Sequence, residues 1–128
     1  MRIVVKIGTQ VILGENGLDK QKIGLLVAQI AKIQKNGHEV VLVSSGAVGA
    51  GLPFVDKDND FRKKTAAAVG QPLLMVYYIE EGKKHKLTVA QILIMSDDFT
   101  DHERFKNFSL NIEAMLSLKI IPIINEND

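Results

Sequence analysis

The sequence predicts an α/β protein built on a mainly parallel sheet. Four short runs of branched apolar residues, at 2–7, 39–44, 87–94 and 120–124, have the composition of buried strands. Segments with helical spacing follow the first three runs, and strands that alternate with helices form parallel βαβ units. The runs are continuously apolar rather than alternating, which predicts strands covered on both faces.

A long helix is predicted between the first two strands. Apolar residues recur there at helical intervals, at Ile23, Leu26, Val27, Ile30 and Ile33. Asn36 and Gly37 follow, and glycine ends helices readily because it adopts the left-handed conformation without a Cβ clash. This helix should therefore end at the start of the second strand.

The middle of the chain predicts a broken helix between two surface segments. Residues 61–82 have helical spacing, but Gly70-Gln71-Pro72 interrupts them, and proline favours the first turn of a new helix. Residues 51–60 are predicted to form a polar surface loop and residues 81–86 a basic, solvated turn.

A last helix is predicted before the fourth strand. Its apolar face is formed by Phe105, Phe108, Ile112, Met115 and Leu116. Thr100-Asp101-His102-Glu103, ahead of this face, has the pattern of a capping box, with Thr100 as the capping residue. His102 and Glu103 are accordingly interpreted as the first turn of a helix.

Composition excludes several classes of protein. The 128 residues suffice for one domain, and the net charge of +1 provides no field that would recruit nucleic acid or a membrane surface. Cysteine is absent, which excludes disulfides and thiolate metal sites. No apolar run reaches the roughly 20 residues that span a bilayer. We expect a cytoplasmic domain that binds small molecules.

The glycine-rich stretch Ser44–Gly51 is the most unusual feature of the sequence. In open α/β sheets, ligands bind beyond the carboxyl ends of the strands, and this stretch directly follows the second strand. Glycines there let the backbone approach an anion, to which Ser44 and Ser45 would add hydroxyl donors. The spacing is neither the dinucleotide fingerprint nor a P-loop. A tight turn that packs a helix on the sheet explains it equally well.

Two further groups of polar residues follow predicted strands. Lys6 lies near the end of the first strand, ahead of Gly8 and Thr9, and is either an edge lysine or an ammonium group directed at a transferring phosphoryl group. Asn125-Glu126-Asn127-Asp128 follows the fourth strand. It is either a polar turn or the receptor for both ends of an amino acid. It is a poor metal site, because magnesium generally needs substrate phosphates and waters as well.

Several motifs, taken in order, resemble the glutamate 5-kinase group of the amino acid kinase superfamily. They are VVKIGTQVI, GHEVVLVSSGAVGAG, AAAVGQ, DHERFKN and IIPIINEND, and together they extend over essentially the whole chain. The resemblance, to the N-terminal half of such enzymes, implies an incomplete three-layer αβα sandwich with a mainly parallel sheet. It also implies ATP-dependent phosphorylation of the γ-carboxylate of L-glutamate in proline biosynthesis, with Mg²⁺ and as a homo-oligomer.

The resemblance also implies roles for individual residues. Lys6 corresponds to the lysine that contacts the transferring phosphoryl group and is therefore the expected catalytic residue. Together with Lys6, Gly8 and Thr9 would contact the nucleotide. Four residues correspond to the glutamate site, namely Ser45, Gly46, Asn125 and Asp128.

Two departures from the family pattern keep alternatives open. The family's nucleotide-binding half would follow Asp128, so residues 1–128 are expected to form the substrate-binding half and to be inactive alone. Ser109, in Asn107-Phe108-Ser109, occupies the place of a usual arginine. The alternatives are a glutamate- or proline-binding protein without catalysis and a related kinase for another small acid.

Overall fold

The computed structural model describes residues 1–94 and 97–125, which form three layers around a parallel sheet. In chain order the elements are β1 (Arg2–Ile7), α1 (Thr9–Ile12), β2 (Leu13–Gly14), β3 (Gly17–Leu18), α2 (Lys20–Lys35), β4 (Glu39–Ser44), α3 (Ala47–Gly51), a 3₁₀ turn (Leu52–Phe54), α4 (Arg62–Lys83), β5 (Thr88–Ile92), α5 (Asp97–Thr100), α6 (His102–Ser117) and β6 (Ile120–Asn125). The sheet order is β1-β4-β6-β5, with every pairing parallel. The predicted α/β class and strand positions are confirmed.

Helices α2 and α4 cover one face of the sheet. Alternate residues of each strand point to that face, because successive side chains of a strand point to opposite sides. They form one core cluster with both helices, whose members include Val40, Leu42, Ile121 and Ile123 from the strands and Ile23, Val27, Ile30, Leu74 and Tyr78 from the helices. The cluster fixes the position of α4 beneath the carboxyl ends of β4 and β6.

Helix α6 covers only part of the opposite face. It contacts β6, and Leu116 is its one buried side chain among the described residues. Val4 on β1 remains 64% exposed and Phe105 45% exposed. The prediction that all strands are covered on both faces is therefore wrong for β1, which is an edge strand of the described sheet, and right for the central strands.

The ends of α2 follow from its sequence. The Asp19 carboxylate accepts hydrogen bonds from the backbone N–H groups of Gln21 and Lys22, which caps the N-terminus. At the other end Gly37 has φ of +91°, the left-handed conformation predicted for it. Between α1 and α2, the antiparallel hairpin β2-β3 was not predicted.

The predicted break in the middle helix is wrong, because α4 runs without interruption from Arg62 to Lys83 with Pro72 inside it. Proline removes one hydrogen bond from the helix and crowds the preceding turn. Packing on both sides of Pro72 offsets this cost: α3 lies against the turn before it, while Leu74 and Tyr78 are buried after it. Gly70 is a point of close contact with α3 rather than a helix end.

The two predicted surface segments are shorter than expected. Gly51 is buried at the end of α3, so the loop proper begins after the 3₁₀ turn. Glu81 is buried within the last turns of α4, where the Nζ atom of Lys84 lies 3.0 Å from its carboxylate. The basic turn therefore comprises only the residues after α4.

The capping prediction for the last helix is wrong by one residue. Asp101, not Thr100, caps α6 by accepting hydrogen bonds from the N–H groups of Glu103 and Arg104. Thr100 belongs to the short helix α5 instead. In the described part of the chain, no helix has the length and apolar character to span a bilayer.

Candidate active site

Three strands end side by side at the carboxyl edge of the sheet. Ile7 of β1 is in register with Ser44 of β4, and Ser44 with Asn125 of β6. The turns after β1 and β4 therefore lie next to each other, with Asn125 beside them. A backbone hydrogen bond of 3.0 Å from the N–H of Ser45 to the carbonyl of Ile7 ties the two turns together.

The turn after β1 carries the predicted phosphoryl-binding residues. Lys6 is exposed on β1 and in register with Val43, so its side chain leaves the sheet on the face opposite to that of Ser44. Gly8 has φ of −76°, which any residue can adopt, and a Cβ atom built on it meets nothing within 4 Å. Its conformation does not require glycine, and the open space beside it gives a ligand access to the backbone. Thr9 begins α1 and is half-buried.

The turn after β4 is held by close packing. Gly46 has φ of +113°, and a Cβ atom there would lie 2.6 Å from the Cδ1 atom of Ile12 in α1. A Cβ atom at Gly49 would overlap Leu13, and one at Gly51 would overlap the backbone of α4. Packing therefore accounts for these three glycines. Ser45, half-buried between them and the sheet edge, is not explained by that packing.

The serines at and after the end of β4 have different surroundings. Ser44 is fully buried, and its Oγ atom lies 2.8 Å from the hydroxyl of Tyr78 and 2.9 Å from the carbonyl of Ser45. With that carbonyl accepting from Ser44, the Tyr78 hydroxyl donates to the Ser44 oxygen. Both hydrogen bonds of the Ser44 hydroxyl are therefore made to atoms of the protein itself. Its predicted role as a donor to a ligand is wrong, because the strand register directs the side chain toward α4.

Tyr78 was not predicted as part of this region. It lies on α4, 1% exposed, and its hydroxyl ends at the base of the turn after β4. Burial raises the pKa of Tyr78, and the hydrogen bond with Ser44 opposes that change. A buried tyrosine usually needs a partner for its hydroxyl. That requirement was the available indication in the sequence, but it does not identify the partner.

Part of the predicted glutamate site lies outside the described residues. Asn125 is half-buried at the end of β6, in register with Ser44. Asp128, with Glu126 and Asn127, is outside the described range, as are Met95 and Ser96 after β5. The structure thus brings together Lys6, Gly8, Thr9, Ser45, Gly46 and Asn125 at one edge of the sheet.

A shallow cleft of about 340 Å³ opens at the carboxyl end of β5, beside α6. Arg104, Asn107 and Asn111 line its α6 side, and Arg104 lies 3.8 Å from the Asp97 carboxylate. The sequence did not predict it. Within residues 1–94 and 97–125, no group of three or more histidine, aspartate or glutamate side chains is placed to hold a metal ion.

The carboxyl edge of an open parallel sheet is the usual place for a small-molecule ligand site, and here that edge carries a lysine, glycine turns and an asparagine. The model of the amino acid kinase family matches residues 1–128. The chain therefore belongs to the amino acid kinase family.

Within this family the chain is similar to glutamate 5-kinases. It is 44% identical over 131 residues to a glutamate 5-kinase of Thermus thermophilus, and 46% identical over 132 residues to that of Citrifermentans bemidjiense. Each alignment covers 99% of this chain but 35% of the relative. The chain thus spans about a third of the length of these relatives. The resemblance to glutamate 5-kinase is confirmed.

Solved structures support the fold. X-ray structures of isopentenyl phosphate kinase match with a TM-score of 0.65 and 13% identity, over 99% of this chain and 57% of theirs. The product complex of T. acidophilum isopentenyl phosphate kinase matches with a TM-score of 0.60, also at 13% identity, over 100% of this chain and 57% of its own. At this identity the match concerns the fold alone, and it confirms the three-layer architecture.

Proposed function

We propose that the protein acts in the ATP-dependent phosphorylation of the γ-carboxylate of L-glutamate, giving glutamyl 5-phosphate for proline biosynthesis in the cytoplasm. The observation that carries this proposal is the similarity to glutamate 5-kinases along 99% of the chain. The side-by-side placement of three strand ends supports it, because that edge carries the residues that such a reaction needs.

Lys6 is proposed to stabilise the phosphoryl group during transfer. A carboxylate nucleophile is already ionised at neutral pH, so the reaction needs no general base. It needs two anions held in line and cations that offset the charge on the transferring group. Lys6 is exposed near the end of β1, next to the carboxyl edge of the sheet.

The glutamate substrate is assigned to the turn after β4 and the end of β6. The Ser45 hydroxyl and the backbone N–H of Gly46 would donate hydrogen bonds to it, and Asn125 lies in the neighbouring strand end. Asp128 is proposed to bind the ammonium group of the substrate. These residues would orient the γ-carboxylate toward the turn after β1.

ATP is assigned to the side of Gly8 and Thr9. The open space beside Gly8 fits this assignment, since a phosphate can approach the backbone closely there. Mg²⁺ is proposed to arrive with ATP, because magnesium is generally held by substrate phosphates, waters and one or two carboxylates. When bound, it would neutralise phosphate charge, while Lys6, Gly8 and Thr9 position the transferring group.

A homo-oligomer is part of the proposal. Val4 on the edge strand β1 is 64% exposed, and exposed apolar surface at a sheet edge favours association between subunits. Light scattering on the full-length protein should give a mass that is a multiple of the chain mass. A monodisperse monomer across a range of concentrations would count against this part.

The test of the reaction is an assay on the full-length protein. Glutamate and ATP-Mg²⁺ should yield an acyl phosphate that hydroxylamine traps, whereas aspartate should not. Lys6→Ala should lower kcat by roughly 10²-fold or more, since electrostatic groups at a transition state have effects of that order, with little change in glutamate KM.

Lys83→Ala is the matched control, because it removes an exposed lysine in the last turn of α4, at the opposite, amino edge of the sheet. It should leave kcat unchanged. Equal turnover of Lys6→Ala and the wild type would refute the role of Lys6. Phosphorylation of aspartate at a comparable rate would refute the substrate assignment.

A further inference from the structure

A second cleft lies at the amino edge of the sheet, opposite the candidate active site. Its volume is about 1020 Å³, and it is bounded by the three loops that precede β4, β5 and β6. Its floor includes small and apolar side chains such as Ala28, Ala31, Val40 and Leu116. Nothing in the proposed kinase reaction uses this cleft.

The cleft is strongly basic. Five lysines line it, namely Lys32, Lys35, Lys84, Lys86 and Lys119, together with two histidines, His38 and His85. The one carboxylate in the lining, Glu39, forms an ion pair of 3.2 Å with Arg2. Of the five lysines, only Lys84 forms an ion pair with a residue that the structure describes. A chain of net charge +1 thus concentrates positive charge at one place.

Helix ends account for only part of this charge. Helices α2, α4 and α6 all end at this edge of the sheet, and lysines near a helix C-terminus offset its negative dipole. Each terminus carries about half a negative charge, so three termini balance about one and a half of the lysine charges. The remaining excess of positive charge has no partner in the described part of the chain.

Two of these lysines occupy unfavourable backbone conformations. Lys86 and Lys119 have φ of 58° and 60°, in the left-handed region, where a non-glycine residue costs about 1 kcal/mol or more. After α2 the corresponding position is occupied by Gly37, which has no such cost. Glycine would be more stable at positions 86 and 119, but a lysine at each of them places an ammonium group at the cleft. Backbone strain of this kind is characteristic of functional sites.

We infer that this basic cleft binds a small anionic molecule with two or more phosphate groups. Lysine ammonium groups bind phosphate as point charges, and several around one concavity suit a ligand with several charges. The concave shape, bounded by three loops, favours a small molecule over an extended polymer. The apolar floor suits a ligand that also has an uncharged part. This inference does not depend on the proposed kinase reaction.

The test uses the full-length protein with inorganic tripolyphosphate as the probe, by calorimetry in low-salt buffer. The wild type should bind, and the double variant Lys86→Gly, Lys119→Gly should bind at least ~10-fold more weakly, equivalent to about 1.4 kcal/mol. Glycine relieves the strain at both positions, so the thermal midpoint of the variant should equal or exceed that of the wild type. Weaker binding would then not result from unfolding.

The control removes the same charge elsewhere. Lys64→Ala with Lys106→Ala takes two exposed lysines from helices outside the cleft and should leave the affinity for tripolyphosphate unchanged. No binding by the wild type at millimolar probe, or equal binding by the Lys86 and Lys119 variant, would overturn the inference. Salt-dependent binding of a short RNA without binding of tripolyphosphate would also overturn it, in favour of a nucleic-acid surface.

Discussion

At the scale of single residues, Ser44 at the end of β4 and Ser45 after it make different hydrogen bonds. Ser44 points into the core, where its hydroxyl accepts a hydrogen bond from Tyr78 and donates one to the carbonyl of Ser45. Ser45 follows at the sheet edge and donates its backbone N–H to Ile7. The buried hydroxyl pair thus holds the backbone of the serine that is proposed to bind glutamate.

Substituting Ser44 should mainly lower the free energy of unfolding, whereas substituting Ser45 should mainly weaken glutamate binding. Ser44→Ala leaves the Tyr78 hydroxyl buried without its partner and should lower the free energy of unfolding by about 1–3 kcal/mol in urea titrations. Ser45→Ala should lower it by less than Ser44→Ala does, because Ser45 is half-buried at the sheet edge whereas Ser44 is fully buried. In the full-length protein, Ser45→Ala should raise glutamate KM by roughly 10-fold, since the hydrogen bond proposed between its hydroxyl and the charged substrate would be lost. An unchanged KM would remove Ser45 from the site.

The buried phenol of Tyr78 should make the free energy of unfolding depend on pH only at high pH. Its pKa is raised by burial, so the folded state holds the proton more tightly than the unfolded state. Above the ordinary tyrosine pKa of about 10, the unfolded chain binds fewer protons, and stability falls as pH rises. Below that pH the contribution is constant.

Tyr78→Phe is the variant that tests this pH dependence. It should cost about 1 kcal/mol at neutral pH through the lost hydrogen bond. The difference in stability between wild type and variant should then shrink above about pH 10. A difference that stays constant to high pH would mean that Tyr78 titrates normally.

At the scale of elements, α3 and α4 touch backbone to backbone. A Cβ atom at Gly70 of α4 would overlap the carbonyl oxygen of Ala47, and one at Gly51 of α3 would overlap that of Ala66. This contact positions α3, and with it the turn at Gly46, relative to the sheet. It also explains why α4 continues through a glycine and a proline that normally end helices.

Replacing the contact glycine should reverse the usual effect of alanine in a helix. Glycine to alanine in a helix interior normally stabilises by about 1 kcal/mol. Gly70→Ala should instead destabilise by at least ~2 kcal/mol, because backbone atoms cannot move aside as a flexible side chain can. The measurement is the urea midpoint at constant m value.

Gly24→Ala in α2 is the matched control for this substitution. Its nearest contact would be the Glu81 carboxylate at 3.4 Å, an ordinary van der Waals distance. It should be neutral or stabilising. If Gly70→Ala behaved like Gly24→Ala, the close contact between α3 and α4 would be wrong.

At the scale of the whole molecule, one arginine connects three elements. Arg2 at the start of β1 donates to both carboxylate oxygens of Glu113 on α6, at 2.5 and 2.8 Å, and to Glu39 of β4 at 3.2 Å. The hydrogen bond from Arg2 holds the pKa of Glu113 below its ordinary value. This group ties the partly covering helix α6 to the edge of the sheet.

The contribution of Glu113 should disappear in acid. Because its folded pKa is depressed, its contribution is fully present above the ordinary glutamate pKa of about 4.3 and is lost as the pH falls through the lower, folded value. Glu113→Gln should therefore be less stable than wild type at pH 7, and the difference should shrink below about pH 4. High salt should also reduce it, since both groups are exposed. Glu80→Gln, which replaces an exposed glutamate on α4, should leave stability at pH 7 within about 0.5 kcal/mol of wild type.

The sequence by itself determined the types of element and the edge that carries the candidate site. Strand composition and helical spacing are local properties, and parallel strands necessarily end on the same edge, so the order of the motifs alone was enough to place Lys6, Ser45 and Asn125 together. Helix α2 and its end at Gly37 also followed from local rules. The motifs further identified the glutamate 5-kinase resemblance.

Only the tertiary structure decided what depends on contacts between distant residues. The continuity of α4 rests on the approach of Gly51 to Ala66 and of Gly70 to Ala47, which no local rule contains. The Ser44 hydroxyl points inward because it forms a hydrogen bond with Tyr78, which is 34 residues away in sequence but only 2.8 Å away in space. The basic cleft likewise arises from three loops that the parallel sheet gathers at its amino edge. Side-chain partners and close backbone contacts are fixed by packing between elements, and packing is a property of the folded chain.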